Sequence, residues 1–271
     1  MDVVFYNGDF LKRSEVSILI NNRAFNYGDG FFESIKIINS KPFNLRYHFN
    51  RISNALNILR IDNNISLEFI KKNTLRLIKL NKITDGSVKI HFSRNSVGKY
   101  LPASNNFDLF ISSSKGFTYK HNNPISLCFY EDESKSKGSL SNIKSTSALV
   151  SVLASIFAYQ NSFDNAILLT IEGKISEIAN ANIFIVRNNK IYTPPLIDGC
   201  VDGTIRRWIM NKENIIEKSI FKNEILDSEE IFVTNATYGF TPVKLIDNYC
   251  FNSYKVSSSF QQDLISSCLD L

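Results

Sequence analysis

Lys144 is the residue whose type and position most directly suggest covalent chemistry. It lies between a polar loop at residues 134–141 and a predicted helix that begins near Leu149. A lysine amine can form an imine with an aldehyde cofactor when its surroundings lower its pKa and leave part of it uncharged. A single lysine carries little information, so the residues that would hold such a cofactor must be sought along the chain.

Glu177 and Arg51 supply the two charges that an aldehyde cofactor with a pyridine ring and a phosphate requires. Glu177 falls where a loop joins two predicted strands. A carboxylate beside a pyridine nitrogen keeps that nitrogen protonated, so the ring can accept the charge that develops on a substrate carbon. Arg51 shares one face of a predicted helix with His48 and Ala55. Its guanidinium can grip a phosphate through two parallel hydrogen bonds.

A turn at residues 199–207 (GCVDGTIRR) leads into a predicted short helix over residues 204–210. The backbone N–H groups at the start of a helix have no partner within the helix and therefore suit a phosphate. Gly203 has no Cβ and lets the backbone approach a bound group closely. The turn is a second candidate phosphate contact.

The elements that must position these residues follow from hydrophobic periodicity. Apolar residues that recur every three or four positions predict helices over residues 45–59, 67–80 and 149–157, the last through the stripe Leu149, Val152, Leu153, Ile156 and Phe157. Short apolar, β-branched or alternating runs predict strands over residues 3–6, 17–20, 31–38, 88–92, 107–112, 125–130, 166–170, 183–186, 190–193 and 230–234. Residues 112–123 are polar and place a domain boundary between residues 1–118 and 119–271.

Composition limits the classes of protein to which the chain can belong. It has 271 residues, 44% hydrophobic and 21% charged, which is typical of a soluble globular protein. No apolar run approaches the roughly 18 residues that a membrane span needs, and residues 1–9 do not resemble an export signal. The net charge of +5 is spread along the chain without a nucleic-acid-binding motif. The four cysteines are too far apart in sequence to read as a metal clip, which favours a metal-free cytoplasmic protein.

Taken in order along the chain, these segments resemble the fold-type IV enzymes that depend on pyridoxal 5′-phosphate (PLP), also called the class IV aminotransferase family. The blocks that carry the resemblance span nearly the whole chain: residues 22–33 (NRAFNYGDGFFE), 48–52 (HFNRI), 143–145 (IKS), 176–177 (SE), 182–184 (NIF), 192–195 (YTPP), 202–206 (DGTIR), 233–237 (VTNAT) and 241–243 (TPV). Each block alone is weakly specific, and their common order makes the set specific.

The resemblance implies an α/β (α+β) subunit with a smaller N-terminal domain and a larger C-terminal domain that carries the PLP lysine. It implies a homodimer in which a loop of the partner subunit helps to close each site. Lys144 matches the Schiff-base lysine, Glu177 the partner of the pyridine nitrogen and Arg51 the phosphate arginine. Thr204 and Ile205 match the pair whose backbone amides hold the phosphate. Thr237 matches a further phosphate contact.

Two reactions remain open within this family. An aminotransferase passes an amino group to a keto acid, whereas 4-amino-4-deoxychorismate lyase eliminates pyruvate and leaves 4-aminobenzoate, a folate precursor. Residues 178–181 (IANA) and 235–240 (NATYGF) are closer to the lyase pattern. Glu33 also occurs in aminotransferases, and Ser34 stands where some lyases have a catalytic threonine. The balance favours the lyase over a branched-chain type of aminotransferase.

Substrate contacts are expected from the segment around Phe32 and Ser34 and from the loop that contains Arg94, Lys99 and Tyr100. The cations of this loop could meet the carboxylate of a small amino substrate. The D-amino-acid aminotransferases carry an Arg-x-His pair in the matching loop, and this chain lacks that histidine. A D-amino-acid specificity is therefore disfavoured. A non-catalytic binding protein on the same fold is the alternative of another class.

Overall fold

Alternating apolar residues build two β-sheets in this chain, and helices cover each of them. The structure is a computed structural model, and it describes residues 2–269. The chain divides into two compact units. Unit 1 contains the residues up to Thr118 together with Ile143–Ser147, and unit 2 contains Tyr119–Asn142 and the residues from Ala148 onward. The mixed α/β class expected from the sequence is confirmed.

Unit 1 is a six-stranded antiparallel sheet with helices on one side. In chain order its elements are β1 (Val3–Tyr6), β2 (Asp9–Lys12), a 3₁₀ turn (Arg13–Glu15), α1 (Arg23–Tyr27), β3 (Gly30–Ile38), β4 (Lys41–Pro42), α2 (Leu45–Ile58), α3 (Leu67–Asn81), β5 (Gly86–Arg94) and β6 (Phe107–Lys115). The strands lie in the order β2-β1-β6-β5-β3-β4.

The two faces of this sheet differ because successive residues of a strand point to opposite sides. Ile35, Val88 and Ile90 lie on the face that packs against α2 and α3 and are fully buried. Phe32 and Ser34 lie on the other face, where β3 pairs Phe32 with His91 and Ser34 with Lys89 of β5. One face therefore forms the core, and the other presents polar and aromatic side chains.

Unit 2 is built on a nine-stranded mixed sheet. Its elements are β7 (Ile125–Tyr130), α4 (Ser139–Asn142), α5 (Leu149–Gln160), β8 (Asn165–Leu169), β9 (Ile175–Ile178), β10 (Asn182–Arg187), β11 (Lys190–Thr193), a 3₁₀ turn (Leu196–Asp198), α6 (Thr204–Met210), β12 (Ile215–Glu217), α7 (Lys222–Leu226), β13 (Glu230–Asn235), β14 (Gly239–Ile246), β15 (Tyr249–Cys250) and α8 (Lys255–Leu269). The strand order is β12-β11-β10-β13-β14-β7-β8-β9, with β15 beside β14.

The segment that contains Lys144 belongs with unit 1, whereas the sequence analysis assigned this lysine to the C-terminal domain. The reason lies in backbone pairing with the start of β3. Ser145 forms an isolated β-bridge with Phe31, and the amide of Phe32 donates to the carbonyl oxygen of Lys144 at 2.9 Å. The short segment therefore belongs to unit 1, although the residues on both sides of it belong to unit 2.

Local periodicity predicted some elements correctly and misplaced others. The strand over Ile125–Tyr130 and the helix over Thr204–Met210 are confirmed. The strand expected over residues 17–20 was wrong, because this segment is exposed coil and turn, with Ile20 80% exposed, and β2 lies earlier in the chain. Four residues of the stripe on α5 are exposed, namely Leu149, Val152, Leu153 and Ile156, and Ala154, Ala158 and Phe157 pack toward the sheet.

Among residues 2–269, none of the helices is long and apolar enough to cross a membrane. The same residues contain no group of three His, Cys, Asp or Glu side chains that could hold a metal ion.

Candidate active site

Lys144 lies over the aromatic ring of Phe32 in unit 1. Its Nζ is 4.4 Å from the centroid of that ring, and the lysine is half-buried. The backbone on both sides is fixed, because Thr146 donates to the carbonyl oxygen of Gly30 at 3.1 Å and Phe32 donates to Lys144. A cation over an aromatic face is stabilised by the ring electrons. The structure therefore holds this amine in a defined place on the open face of the first sheet.

Lys89 and His91 share the ring of Phe32 with Lys144. The Nζ of Lys89 lies 4.5 Å from the ring centroid, and the imidazole of His91 stacks on the ring at 5.5 Å. Two ammonium groups within about 9 Å of each other make this face positive and favour an anionic substrate. Burial, with a smaller effect from Lys89, lowers the pKa of His91 to about 4, so its ring is neutral near pH 7.

Sequence reasoning did not single out Lys89 and His91 as site residues. The signal was present in the alternation of β5, where Val88, Ile90 and Phe92 face the core. Residues between them must point to the opposite face. That this face is the one near Lys144 follows only from the pairing of β3 with β5 and with the Lys144 segment.

Arg51 and His48 of α2 converge on Glu33 of β3 in the core of unit 1. The Nε of Arg51 donates to Oε1 of Glu33 at 2.6 Å, and its Nη2 donates to Oε2 at 2.6 Å. The Nδ1 of His48 also lies 2.6 Å from Oε2. Only 1% of Glu33 is exposed. An ionised carboxylate only accepts hydrogen bonds, so His48 donates from Nδ1.

The charges in this cluster are strongly perturbed. Burial alone would raise the pKa of Glu33, but the charge of Arg51 and the hydrogen bonds from His48 and Arg51 outweigh it and lower this pKa to about 2. Burial also lowers the pKa of His48, against the opposing effect of Glu33. Near neutral pH the cluster is an ion pair between Glu33 and Arg51 with a neutral histidine beside it.

Glu33 thus occupies one edge of the Arg51 guanidinium, the edge formed by Nε and Nη2. A phosphate contact from Arg51 has to come from the rest of the group. The pair fixes the orientation of the guanidinium, because two parallel hydrogen bonds define its plane. The spacing on α2 predicted the shared face of His48 and Arg51, but it did not predict their common partner on β3.

If Arg51 contacts the phosphate of PLP, as the sequence resemblance implies, Arg51→Ala should weaken cofactor affinity by about 1.5–3 kcal/mol, the range for a lost hydrogen bond to a charged group. The same variant leaves Glu33 without its arginine, so thermal stability should fall as well. Fluorescence titration of the apo-protein with PLP measures the first effect, and calorimetry measures the second. Arg51→Lys is the control that keeps the positive charge and loses the two parallel hydrogen bonds of the guanidinium. Lower stability with unchanged affinity would show that Arg51 serves Glu33 alone.

Glu177 lies on β9 in unit 2 and is 5% exposed. Its Oε1 is 2.7 Å from Nζ of Lys135, and its Oε2 accepts from the amide of Val201 at 2.9 Å. Both oxygens are therefore held, and the carboxylate has a fixed plane. The neighbouring Ser176 contributes a buried Oγ that has no hydrogen-bond partner within residues 2–269. Lys135 was not recognised from the sequence.

At the start of α6 the backbone of Gly203 packs closely against the side chain of Asn182. A Cβ at this position would lie 1.9 Å from Oδ1 of Asn182, so only glycine fits without displacing that side chain. The Nδ2 of Asn182 donates to the carbonyl oxygen of Val201 at 2.7 Å, which fixes the amide. Thr204 and Ile205 follow as the first residues of α6 and are buried.

Thr237 lies in the turn between β13 and β14, which belong to the same sheet. Its amide donates to Oδ1 of Asn235 at 3.0 Å, and the amide of Tyr238 donates to the same oxygen at 2.9 Å. The asparagine side chain thereby holds the turn in one conformation. The phosphate contact expected of Thr237 stays a prediction.

Arg94 is buried within unit 1 and bonded to the protein. Its Nε donates to Asp29 at 2.9 Å, its Nη1 donates to Oδ1 of Asn105 at 2.7 Å, and its Nη2 donates to the carbonyl oxygen of Leu59 at 2.5 Å. With 6% of the residue exposed, these contacts favour a structural role. The substrate contact expected of Arg94 stays a prediction.

Lys99 and Tyr100 stand on an exposed turn of the same loop. Arg23 anchors this turn, because its Nη1 donates to the carbonyl oxygens of Gly98 at 2.8 Å and Lys99 at 2.6 Å. Asp29 joins the two arginines, since it also accepts from Nε of Arg23 at 2.8 Å. The backbone of the turn is thus fixed by Arg23, while the side chains of Lys99 and Tyr100 are exposed.

Comparison with known proteins gives a consistent result across the chain. The sequence profile of the family described as amino-transferase class IV matches residues 30–246. A D-alanine aminotransferase of Bacillus licheniformis is 26% identical over 263 residues, which cover 92% of this chain and 90% of the relative.

Solved structures with similar folds come from several organisms. A branched-chain aminotransferase of Thermoproteus uzoniensis with norvaline superposes with a TM-score of 0.92 at 23% identity and covers 99% of this chain and 95% of its own. A putative 4-amino-4-deoxychorismate lyase of Legionella pneumophila gives 0.87 at 24%, with 93% and 96% covered. A branched-chain aminotransferase of Thermobaculum terrenum in its PLP form gives 0.90 at 18%, with 99% and 94% covered.

Proposed function

Since this chain belongs to the class IV aminotransferase family, an enzyme family whose cofactor is PLP, we propose that Lys144 carries PLP covalently and that the enzyme acts on a small amino substrate with a carboxylate. The observation that supports this role is the placement of the Lys144 amine over Phe32, on a sheet face that also bears Lys89 and His91. An amine held this way has a defined position and lies among groups that favour anions.

The residues present suit the cofactor. Glu177 is a buried carboxylate whose two oxygens are fixed, as a partner of a pyridine nitrogen must be. Gly203 lets the start of α6, whose backbone amides are proposed to hold the phosphate, lie directly against Oδ1 of Asn182, where any Cβ would clash. Arg51 brings a buried guanidinium of defined orientation. The residues proposed to hold PLP are Lys144, Glu177, Arg51, Gly203, Thr204, Ile205 and Thr237.

PLP, when bound, supplies a ring that stores the negative charge developed on the substrate carbon. The protein supplies the proton transfers and the binding. Lys144, released from the cofactor, is the proposed general base and acid at that carbon. Phe32 supports the amine, and Lys99 and Tyr100 are proposed to contact the substrate. Glu177 keeps the ring nitrogen protonated.

For the reaction itself we favour elimination of pyruvate from 4-amino-4-deoxychorismate, which leaves 4-aminobenzoate for folate synthesis. Ser34 supports this choice. It lies two residues from Phe32 on the same face of β3 and opposite Lys89 of β5. Elimination of pyruvate breaks the bond between a ring carbon and the enol ether oxygen, and the departing enolpyruvate takes up a proton to become pyruvate. A hydroxyl on this face can relay that proton. Residues 235–240 (NATYGF) also lack the glutamate that is frequent in aminotransferases.

An aminotransferase activity is the second candidate, and the curated relatives support it. The D-alanine aminotransferase match extends over 92% of this chain. Among the aminotransferases we favour a branched-chain type of specificity, because Lys99 and Tyr100 stand where the D-amino-acid enzymes carry their Arg-x-His pair.

The visible spectrum of the purified protein, followed by single-turnover mixing, separates these candidates. We expect a yellow protein that loses its colour on borohydride reduction, which fixes the cofactor onto Lys144, as peptide mass analysis can show. Under the lyase proposal, aminodeoxychorismate yields pyruvate and the yellow band returns without a keto acid. If an amino acid instead bleaches the band and a keto acid restores it, the enzyme is an aminotransferase. A protein that stays colourless with added PLP contradicts the whole assignment.

We further propose that the enzyme is a cytoplasmic homodimer. The exposed apolar stripe of α5 supports association, since Leu149, Val152, Leu153 and Ile156 are 45–74% exposed, and such a contiguous patch is typical of an interface. The four cysteines are free, in keeping with a reducing compartment. Sedimentation equilibrium measures the subunit number, and a monomer at micromolar concentration contradicts the dimer.

A further inference from the structure

Lys135 forms a partly buried ion pair with Glu177 that the chemistry above does not use. Lys135 lies in the loop before α4, and its amide donates to the carbonyl oxygen of Leu169 at 2.7 Å, which fixes its backbone at the end of β8. Its Nζ lies 2.7 Å from Oε1 of Glu177, with side-chain exposures of 16% and 6%. Glu177 itself is fixed on β9, where it pairs with Leu168.

This pair differs from the exposed ion pair formed two residues later. Lys137 and Glu172 are 36% and 46% exposed, and pairs of that kind contribute little because water screens them. The Lys135 ammonium has lost most of its contact with water and faces a carboxylate held from the other side by Val201. Removing one member of a desolvated pair leaves the other charge poorly solvated. Each member of such a pair therefore strongly affects the position and the interactions of the other.

We propose that Lys135 is the positioning residue of Glu177: it fixes one carboxylate oxygen and shares its charge, and thereby sets how strongly Glu177 binds the ring nitrogen of PLP. The inference rests on the proposed role of Glu177. A carboxylate between two cations divides its attraction between them. The ammonium of Lys135 holds the carboxylate of Glu177 in one orientation, and it also limits how strongly that carboxylate attracts the ring nitrogen.

The hypothesis makes Lys135 matter only through Glu177, which a double-mutant cycle can measure. The four proteins are the wild type, Lys135→Met, Glu177→Gln and the double variant. We expect Lys135→Met to lower kcat about tenfold or more when Glu177 is present, with a smaller change in KM. In the Glu177→Gln background the same substitution should change kcat by less than about twofold. Lys135→Met should also shift the pH midpoint of the visible band of bound PLP when Glu177 is present, and it should leave this midpoint unchanged in the Glu177→Gln background.

Two variants separate this effect from general damage. Lys135→Arg keeps a cation at the same place and should preserve kcat and the band midpoint. Lys137→Met removes the neighbouring exposed lysine and should also leave both unchanged. If Lys135→Met does not fold, the double variant still tests the proposal, because replacing both partners of a pair by neutral residues is far less damaging than removing one. A double variant much slower than Glu177→Gln would show that Lys135 acts elsewhere.

A purely structural pair predicts a different pattern. Thermal unfolding of the four apo-proteins would then show coupling between residues 135 and 177, while kcat and the band midpoint of Lys135→Met would match the wild type. That result overturns the proposal and leaves the function of the enzyme intact. Absence of a Lys144-linked band in the wild type would instead overturn the proposed function, and this inference with it.

Discussion

Lys144→Ala is expected to abolish turnover and the yellow colour together. The substitution removes the amine that binds the cofactor covalently and the group that moves the substrate proton. Loss of a positioned general base alone costs about 10²–10⁴-fold in rate, so kcat should fall at least that far. Stopped-flow mixing with the substrate identified for the wild type measures the rate, and the absorption spectrum with added PLP measures the loss of the covalent band.

Lys89 provides the matched control for this prediction. Its ammonium lies at nearly the same distance from the Phe32 ring as that of Lys144, 4.5 Å against 4.4 Å. Lys89→Ala should therefore keep the yellow band, and borohydride should still fix the cofactor to Lys144, whatever the substitution does to substrate affinity. If Lys144→Ala turned over normally, or if the reduced cofactor were found on residue 89, the assignment of Lys144 would be wrong.

Sequence patterns predicted the parts of the structure that depend on neighbouring residues. The alternation of Val88, Ile90 and Phe92 gave β5, and the period of three to four residues gave α2 and α3. Both predictions rest on the periodicity of the local backbone, which alternates every two residues in a strand and repeats about every 3.6 residues in a helix. The strand β9, which carries Glu177, was missed because it is four residues long and has no strict alternation of its own.

Contacts between distant residues were outside the reach of these patterns. Arg51 was recognised as a cation on a helix face, but its partner Glu33 lies 18 residues earlier on another element. Arg94 shows the same limit. Its charge suggested substrate binding, and the fold buries its side chain against Asp29. A sequence shows that a charge is present, and only the packing decides whether it faces solvent or pairs within the protein.

The apolar stripe on α5 shows a further limit of periodicity. Its pattern correctly predicted a helix, and an apolar stripe on a helix is typically the face that packs on the core. In the structure Ala154 and Ala158 contact the sheet, because small side chains allow the helix to approach β7 and β8 closely. Phe157 packs against Tyr130, and the other four residues of the stripe are exposed. Periodicity identifies an apolar face, but it does not say whether the same chain or another one covers it.

Glu33→Gln is expected to be strongly destabilising. The wild-type carboxylate accepts two hydrogen bonds from Arg51 and one from His48 in a site that is 1% exposed. Glutamine presents an N–H₂ group where a second acceptor is needed, and it leaves the arginine charge uncompensated. Breaking a buried ion pair by removing one partner typically costs 3–5 kcal/mol. The free energy of unfolding in urea at pH 7 measures the loss.

The same pair predicts how stability depends on pH. The folded pKa of Glu33 is about 2, below its ordinary value of 4.5. Because the folded pKa is the lower one, the unfolded chain binds the proton first as pH falls. The contribution of Glu33 is therefore complete above about pH 4.5 and is lost between pH 4.5 and 2, by roughly 3 kcal/mol in total. Urea unfolding at several pH values in this window should show the decline in the wild type and a flatter profile in Glu33→Gln.

Glu172 is the control that separates burial from charge. The hydrogen bond from Lys137 lowers the pKa of Glu172 to about 2 as well, but this glutamate is exposed. Water screens such a pair, and the lysine left by Glu172→Gln is readily solvated. Glu172→Gln should therefore leave both the stability at neutral pH and its decline in acid close to those of the wild type. Equal losses in the two variants would show that the desolvation of Glu33 is not what makes its ion pair strong.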